Sequence, residues 1–278
     1  MNQIQTYWLV VFAIIILALA PYSYTHAADF NSAGDWGCKT AAISNLKNLA
    51  NKPSSFFGLG DYSYKCKSSQ IKPLWDQINS KQLALGNHSC EKSGQDSLGA
   101  GKGYFSNGGC KKGYGVFIRG GDTAIIVLNQ YTSYKVGSSQ YNFVVGKLNQ
   151  ISNMSSIQNI AFVFHEPIYP VKCTGSHCHP SVEKPVFKST YEPLIKKYHA
   201  LVIQAHTHLV AFGTFNGIRT AICGGGGEDS TSPSGQDFYT YVSKSMGYCS
   251  FHTENDKTIV QHIGTNNQVI HTHTWNKN

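Results

Sequence analysis

The chain has 278 residues, 41% of them hydrophobic and 12% aromatic, which suffices for one substantial core of two stacked sheets and does not call for a second domain. Its 23 lysines and arginines outnumber 15 acidic residues, and the formal charge of +8 favours anionic substrates. Only Arg119 and Arg219 are arginines and the lysines are scattered, which argues against a dedicated nucleic-acid surface.

Residues 8–20 form an unbroken apolar run, followed by Pro21 and a small-residue stretch that ends in Ala27-Ala28. This pattern reads as a secretory signal peptide over residues 1–28, cut near Ala27. The run is shorter than the roughly 20 residues that span a bilayer as a helix, so no stable membrane span is expected once it is cut. No Lys or Arg precedes it, and the alternative is an uncleaved N-terminal membrane anchor. Residues 29–278 are expected to form one domain.

From residue 29 onward, short apolar runs that end in Gly-rich turns alternate with segments of helical period, the pattern of an α/β domain. Residues 30–33 read as a strand ending at Gly34-Asp35. Residues 39–51 read as a helix with Ala42, Ile43, Leu46 and Leu49 on one face. The same grammar recurs at residues 56–59, which end at Gly60-Asp61, and at residues 83–85, which end at Gly86-Asn87-His88, with a short helix predicted over 71–78 between them. Residues 116–118 and 124–128 read as a hairpin turning at Gly120-Gly121, and residues 139–152 as a helix. Residues 160–164 are an apolar strand ending at His165, and residues 201–203 another ending near His206. Further strands over 210–215, 220–223, 238–242 and 258–263 are expected to complete a second sheet. Gly224 to Gly227 reads as a flexible turn near the cleft, and His271 and His273 as solvent-facing residues of a C-terminal strand.

Eight cysteines follow the leader (Cys38, Cys66, Cys90, Cys110, Cys173, Cys178, Cys223 and Cys249), and an even count in an exported chain marks disulfides. Cys173 and Cys178 bracket a short loop, and Cys223 and Cys249 fall in segments readable as neighbouring strands. Those two pairs are expected, and the other four cysteines cannot be paired from sequence. A zinc site built from Cys173, His177, Cys178 and His179 is the rival reading, although its spacing wraps a metal poorly.

Polar residues just beyond the ends of apolar strands converge at one edge of a sheet, where open α/β folds place their sites. Here they are of metal-ligand type: Asp35 in Gly34-Asp35-Trp36-Gly37, Asp61 and Tyr64 in Gly60-Asp61-Tyr62-Ser63-Tyr64, Asn87 and His88, His165 before Glu166-Pro167, and His206 and His208 in Ala205-His206-Thr207-His208. Each piece alone is common. Five in this order, each behind an apolar run, are specific.

This ordered set resembles the five motif blocks of the calcineurin-like metallophosphoesterase superfamily. The Asp-Trp-Gly motif with Asp-x-x-Tyr is most similar to the purple acid phosphatases, in a compact single-domain form. The resemblance implies a four-layer αββα sandwich and two metal ions. By matching positions, Asp35, Asp61, Tyr64 and His208 would hold ferric iron, with Tyr64 as a phenolate ligand. Asp61, Asn87, His165 and His206 would hold zinc, manganese or ferrous iron, with Asp61 bridging; hard anionic oxygens suit the trivalent ion, and imidazole and amide donors suit the divalent one. His88 would face the phosphate and stabilise the transition state or protonate the leaving oxygen.

The function so implied is a secreted phosphatase that hydrolyses phosphate monoesters by attack of a metal-bound hydroxide on phosphorus. A phosphodiesterase or nucleotidase on the same metal core is the alternative, and a non-catalytic, disulfide-stabilised binding protein is a second one from a different class. His177, His179 and Tyr169 are candidate substrate contacts. The sequence departs from the family where Gly37 replaces the usual His of the first block, where Ala205 replaces a Gly, and where Ser89 follows His88 in place of an acidic residue.

Overall fold

The structure is a computed structural model that describes residues 28–64, 66–90, 110, 112–174, 185–234 and 238–277. Residues 1–27 of the expected signal segment 1–28, together with His177, Cys178 and His179, lie outside the described residues, so the Cys173–Cys178 pairing and the rival zinc reading do too. Among the described residues no helix is long and apolar enough to cross a membrane.

In chain order the elements are β1 (Ala28–Ala33), α1 (Thr40–Ala50), β2 (Ser55–Gly58), α2 (Ser68–Gln77), β3 (Lys81–Leu83), α3 (Asn87–Cys90), β4 (Gly115–Arg119) and β5 (Thr123–Val127). There follow α4 (Ser139–Ile151), β6 (Asn159–Val163), β7 (Cys173–Thr174), α5 (Pro185–Lys197), β8 (Leu201–Gln204), β9 (Val210–Phe215) and β10 (Ile218–Cys223). The chain closes with β11 (Ser232–Pro233), β12 (Tyr239–Ser243), β13 (Gly247–Thr253), β14 (Lys257–Gly264) and β15 (Val269–Asn276).

Two mixed sheets result, ordered β15-β14-β13-β1-β2-β3 and β12-β9-β10-β8-β6-β5-β4. Their inner faces meet in one apolar cluster, in which Phe30 and Phe57 of the first sheet pack with Ile125, Val163, Ile203 and Phe212 of the second. The Phe30 and Phe251 rings stack 4.8 Å apart. On the outer face of the first sheet, Leu46 and Leu49 of α1 and Ile71 and Trp75 of α2 cover Phe56. On the outer face of the second, Val144 and Leu148 of α4 and Phe187, Tyr191 and Ile195 of α5 cover Phe162 and Val202. Each fully buried side chain of this size contributes about 1.5–3 kcal/mol, and the layering is αββα, as the motif order implied.

The local chemistry explains the elements. Strand β5 is buried along its whole length, as a strand covered on both faces must be, and it therefore reads as a continuous apolar run. Helix α4 is capped by Ser138, whose side chain accepts from the Tyr141 N–H, satisfying one orphan donor of the first turn.

Three expectations are corrected. The C-terminal strands do not all complete the second sheet: β13, β14 and β15 extend the first, because β13 pairs antiparallel with β1. Cys223 and Cys249 are bonded, yet they lie in β10 and β13, in facing sheets rather than in neighbouring strands. The Cys38–Cys66 and Cys90–Cys110 disulfides, unassigned from sequence, complete the three seen among the described residues. His271 and His273 are half-buried rather than solvent-facing, and the His271 ring lies on Tyr241 with centroids 3.9 Å apart.

Candidate metal centre

Strands β1, β2 and β3 run parallel, as do β5, β6, β8 and β10. The loops after β1, β2, β3, β6 and β8 therefore leave at corresponding strand ends, and they carry Asp35, Asp61 with Tyr64, Asn87 with His88, His165, and His206 with His208. Backbone bonds tie these ends together: the Leu59 N–H donates to Ala33, Ala84 to Gly58 and Ala205 to His165.

Asp35, Asp61, Tyr64 and His206 have positive φ, between 45° and 65°. Non-glycine residues are disfavoured there by about 1–2 kcal/mol each, so the surrounding bonds must hold them. The close approach of glycines is part of that hold. A Cβ on Gly86 would lie 2.0 Å from Asp61 Oδ1 and 2.6 Å from Asp61 N. The stretch read as a flexible turn is corrected here: a Cβ on Gly224 would sit 2.1 Å from the Thr207 carbonyl, and one on Gly226 2.4 Å from the Gly34 carbonyl. These glycines are packed against the loops that carry Asp35 and His208.

The side chains converge in two halves. In one, the Tyr64 hydroxyl lies 3.1 Å from Asp35 Oδ1 and 2.9 Å from His208 Nε2, and His208 Nε2 is 3.7 Å from Asp35 Oδ1. In the other, His165 Nε2 lies 3.0 Å from Asn87 Oδ1, 3.1 Å from His206 Nδ1 and 3.3 Å from Asp61 Oδ2. Asp61, His165 and His206 each offer a ligand atom within 4.8 Å of the others. All of these are buried except Tyr64, which is half-buried, as is His88. His88 donates its backbone N–H to Asp61 Oδ1 at 3.0 Å, and its ring lies 4.4 Å from that of Tyr64.

The orientation of two imidazoles decides what the centre can hold. His165 Nδ1 is 2.6 Å from the Leu59 carbonyl and His208 Nδ1 is 2.7 Å from the Asp229 carbonyl, so each Nδ1 carries the donated hydrogen. Both Nε2 atoms are thereby turned towards the Asp35, Asp61 and Asn87 oxygens. Asp35 Oδ2 is buried without a hydrogen-bond partner. Electron pairs gathered in this way, away from water, need a proton or a cation between them.

The titration behaviour has the same origin. Burial pushes the Asp35 carboxyl up to about 8, His165 opposing and Asp61 adding to the rise. Burial also acts against Asp61, yet His165, His88 and His206 hold it down to about 2. Burial would lower His165, but Asp61 lifts it to about 9. Burial first, then Asp35 and Asp61, push the Tyr64 hydroxyl well above its ordinary range. A buried Asp/His/His cluster of this kind is suited to a metal ion, and a bound cation would favour the charged forms of the carboxylates and the phenol.

Of the candidate substrate contacts, Tyr169 is not brought to the centre. It is 1% exposed, packed on Phe215 and Phe238, and burial in that core is the physical reason it offers no surface to a substrate. His177 and His179 lie outside the described residues. Sequence reasoning missed the Asp229 carbonyl, which no side-chain motif can reveal, and it missed Glu166. The latter is buried beside His165, with Oε1 accepting from Tyr131 at 2.6 Å and its backbone bonded both ways to the Gln130 amide.

No protein-family model matches the chain, and no curated protein matches it by sequence. Solved structures do match. The purple acid phosphatase PPD1 from yellow lupin (Lupinus luteus) seeds superposes with a TM-score of 0.68 at 14% identity over 90% of this chain and 54% of that one. This chain thus spans about half the length of the lupin enzyme. GAP50, described as the anchor in the inner membrane complex of Plasmodium, gives 0.69 at 17% identity, over 91% of this chain and 89% of its own. PhoD gives 0.59 at 10%, covering 91% and 70%. The chain has the metallophosphoesterase fold.

Proposed function

We propose that the chain is a metal-dependent phosphoesterase with a dinuclear centre, active on phosphate monoesters outside the cytoplasm. The observation that carries the reading is the pair of imidazoles locked through Nδ1 to backbone carbonyls, so that both Nε2 lone pairs meet the Asp35, Asp61 and Asn87 oxygens. Asp35, Tyr64 and His208 would serve one ion, Asn87, His165 and His206 the other, and Asp61 would bridge. Tyrosinate and carboxylate donors favour ferric iron in the first position; imidazole and amide donors favour zinc, manganese or ferrous iron in the second. Bound cations in such a pair supply Lewis-acid polarisation of the phosphoryl oxygens and a lowered water pKa.

The remaining work falls to the chain's own residues. The buried carboxylates would be committed to the ions, while the more open His88 would hold a proton for the leaving oxygen. The three disulfides among the described residues are compatible with an extracytoplasmic location. Residues 29–278 would be the single catalytic domain, with residues 1–28 as signal or anchor.

Asp61→Asn is expected to lose both metals and turnover, whereas His88→Ala is expected to retain the metals and lower kcat by roughly a hundredfold or more. Loss of metal in His88→Ala would remove the proton-donor assignment. Hydrolysis of bis(p-nitrophenyl) phosphate faster than p-nitrophenyl phosphate would move the substrate class to diesters. A second reading, a non-catalytic binding protein, draws on the likeness to the Plasmodium anchor and on Ser89. Metal-loaded protein inert across a panel of phosphate esters would favour it.

A further inference from the structure

The segment over residues 224–231 carries no ligand, yet it is bonded to two of the proposed ones. The Glu228 N–H donates to the Asp35 carbonyl at 3.0 Å, and the Thr231 N–H to the His208 carbonyl at 3.0 Å. The Asp229 carbonyl accepts from His208 Nδ1. That last bond fixes the His208 tautomer and aims Nε2 at Asp35 and Tyr64. Whatever holds residues 228 and 229 therefore aims His208.

A single ammonium group spans both side chains. Lys39 Nζ lies 2.8 Å from Glu228 Oε1 and 2.6 Å from Asp229 Oδ1. Lys39 stands at the N-cap of α1, next to Cys38, whose disulfide to Cys66 fixes that end of the helix to the loop following Tyr64. The latch is thus mounted on a cross-linked base. Gly37 completes the arrangement, since a Cβ there would meet Glu228 Oε2 at 2.3 Å and displace the carboxylate that Lys39 holds.

We infer that Lys39 is a positioning residue for the first metal site: by bridging Glu228 and Asp229 it keeps the Asp229 carbonyl where it orients His208. The inference rests on the reading of His208 as a ligand. An exposed ion pair by itself contributes little to stability, so a loss of metal affinity without a loss of stability separates a positioning role from a structural one.

The test uses the full chain with Lys39→Met and Lys39→Arg. Lys72→Met, which breaks the similarly exposed Lys72–Asp76 pair on α2, is the control. Ferric-iron and zinc affinities would be measured by competition with chromophoric chelators, alongside urea midpoints. Lys39→Met is expected to weaken one of two sites by about threefold to tenfold, less than the roughly tenfold to hundredfold of losing the orienting group itself. Lys39→Arg should recover most of that, Lys72→Met should bind as wild type, and the urea midpoint of Lys39→Met should match that of Lys72→Met. Wild-type affinity in Lys39→Met, or equal weakening of both sites with a lowered midpoint, overturns the inference alone. A wild type that binds neither cation overturns the phosphoesterase reading and this inference with it.

Discussion

At Asp61 one carboxylate touches most of the centre: Oδ1 accepts from the His88 backbone and Oδ2 lies 3.3 Å from His165. Gly86 leaves it room, since a Cβ there would fall 2.0 Å from Asp61 Oδ1. Gly86→Ala is therefore expected to weaken both metals tenfold or more and to destabilise the fold by about 1–3 kcal/mol. Chelator competition and urea titration would read these, and wild-type values in both would contradict the packing argument. Asp35, Asp61, Asn87, His88, His165, His206 and His208 were legible in the sequence because each stands directly behind an apolar strand, where chain order and spatial order coincide. Glu166 and the Asp229 carbonyl were not, because their roles are set by bonds to Tyr131, Gln130 and His208 from distant parts of the chain.

Helix α3 shows how a short element is kept in place. It has four residues, Asn87–Cys90, and carries both Asn87 and His88, too few to be stable alone. The Cys90–Cys110 disulfide holds its end, and the Cys110 carbonyl accepts from Asn129 Nδ2 at 2.9 Å. Asn129 is in turn bracketed by the Gln140 amide of α4, through its N–H at 2.7 Å and its carbonyl at 3.0 Å. Replacing both Cys90 and Cys110 by Ser should cost about 3 kcal/mol by the loop-closure argument for a separation of 20 residues. It should also weaken the metal half that holds Asn87 more than the half that holds Tyr64. A denaturation curve unchanged from wild type would contradict this. Helix α5 escaped the sequence reading, although Phe187, Tyr191 and Ile195 recur every fourth residue along it.

Across the whole molecule, the two sheets close on each other at β14 and β15 against β9 and β12, where His262 is fully buried with its Nδ1 2.8 Å from the Tyr241 hydroxyl. Burial, with His271 adding, lowers His262 from 6.5 to about 4, so the unfolded chain takes up the proton first. Stability should therefore fall as the pH drops through 6.5 and level off near 4, by on the order of 3 kcal/mol. His262→Gln should flatten that slope in urea titrations across the same window, and an unaltered slope would assign the acid sensitivity to other groups. Which sheet receives β13 to β15 was not legible, because it depends on pairing between the two ends of the chain, Ala28 with Thr253, and no local pattern encodes that. The most direct test of the account is metal analysis with a visible absorption spectrum on protein purified without chelator. The account expects about two metal ions per chain and a broad tyrosinate-to-iron band that disappears in Tyr64→Phe; a colourless chain that contains no metal and takes up none would contradict it.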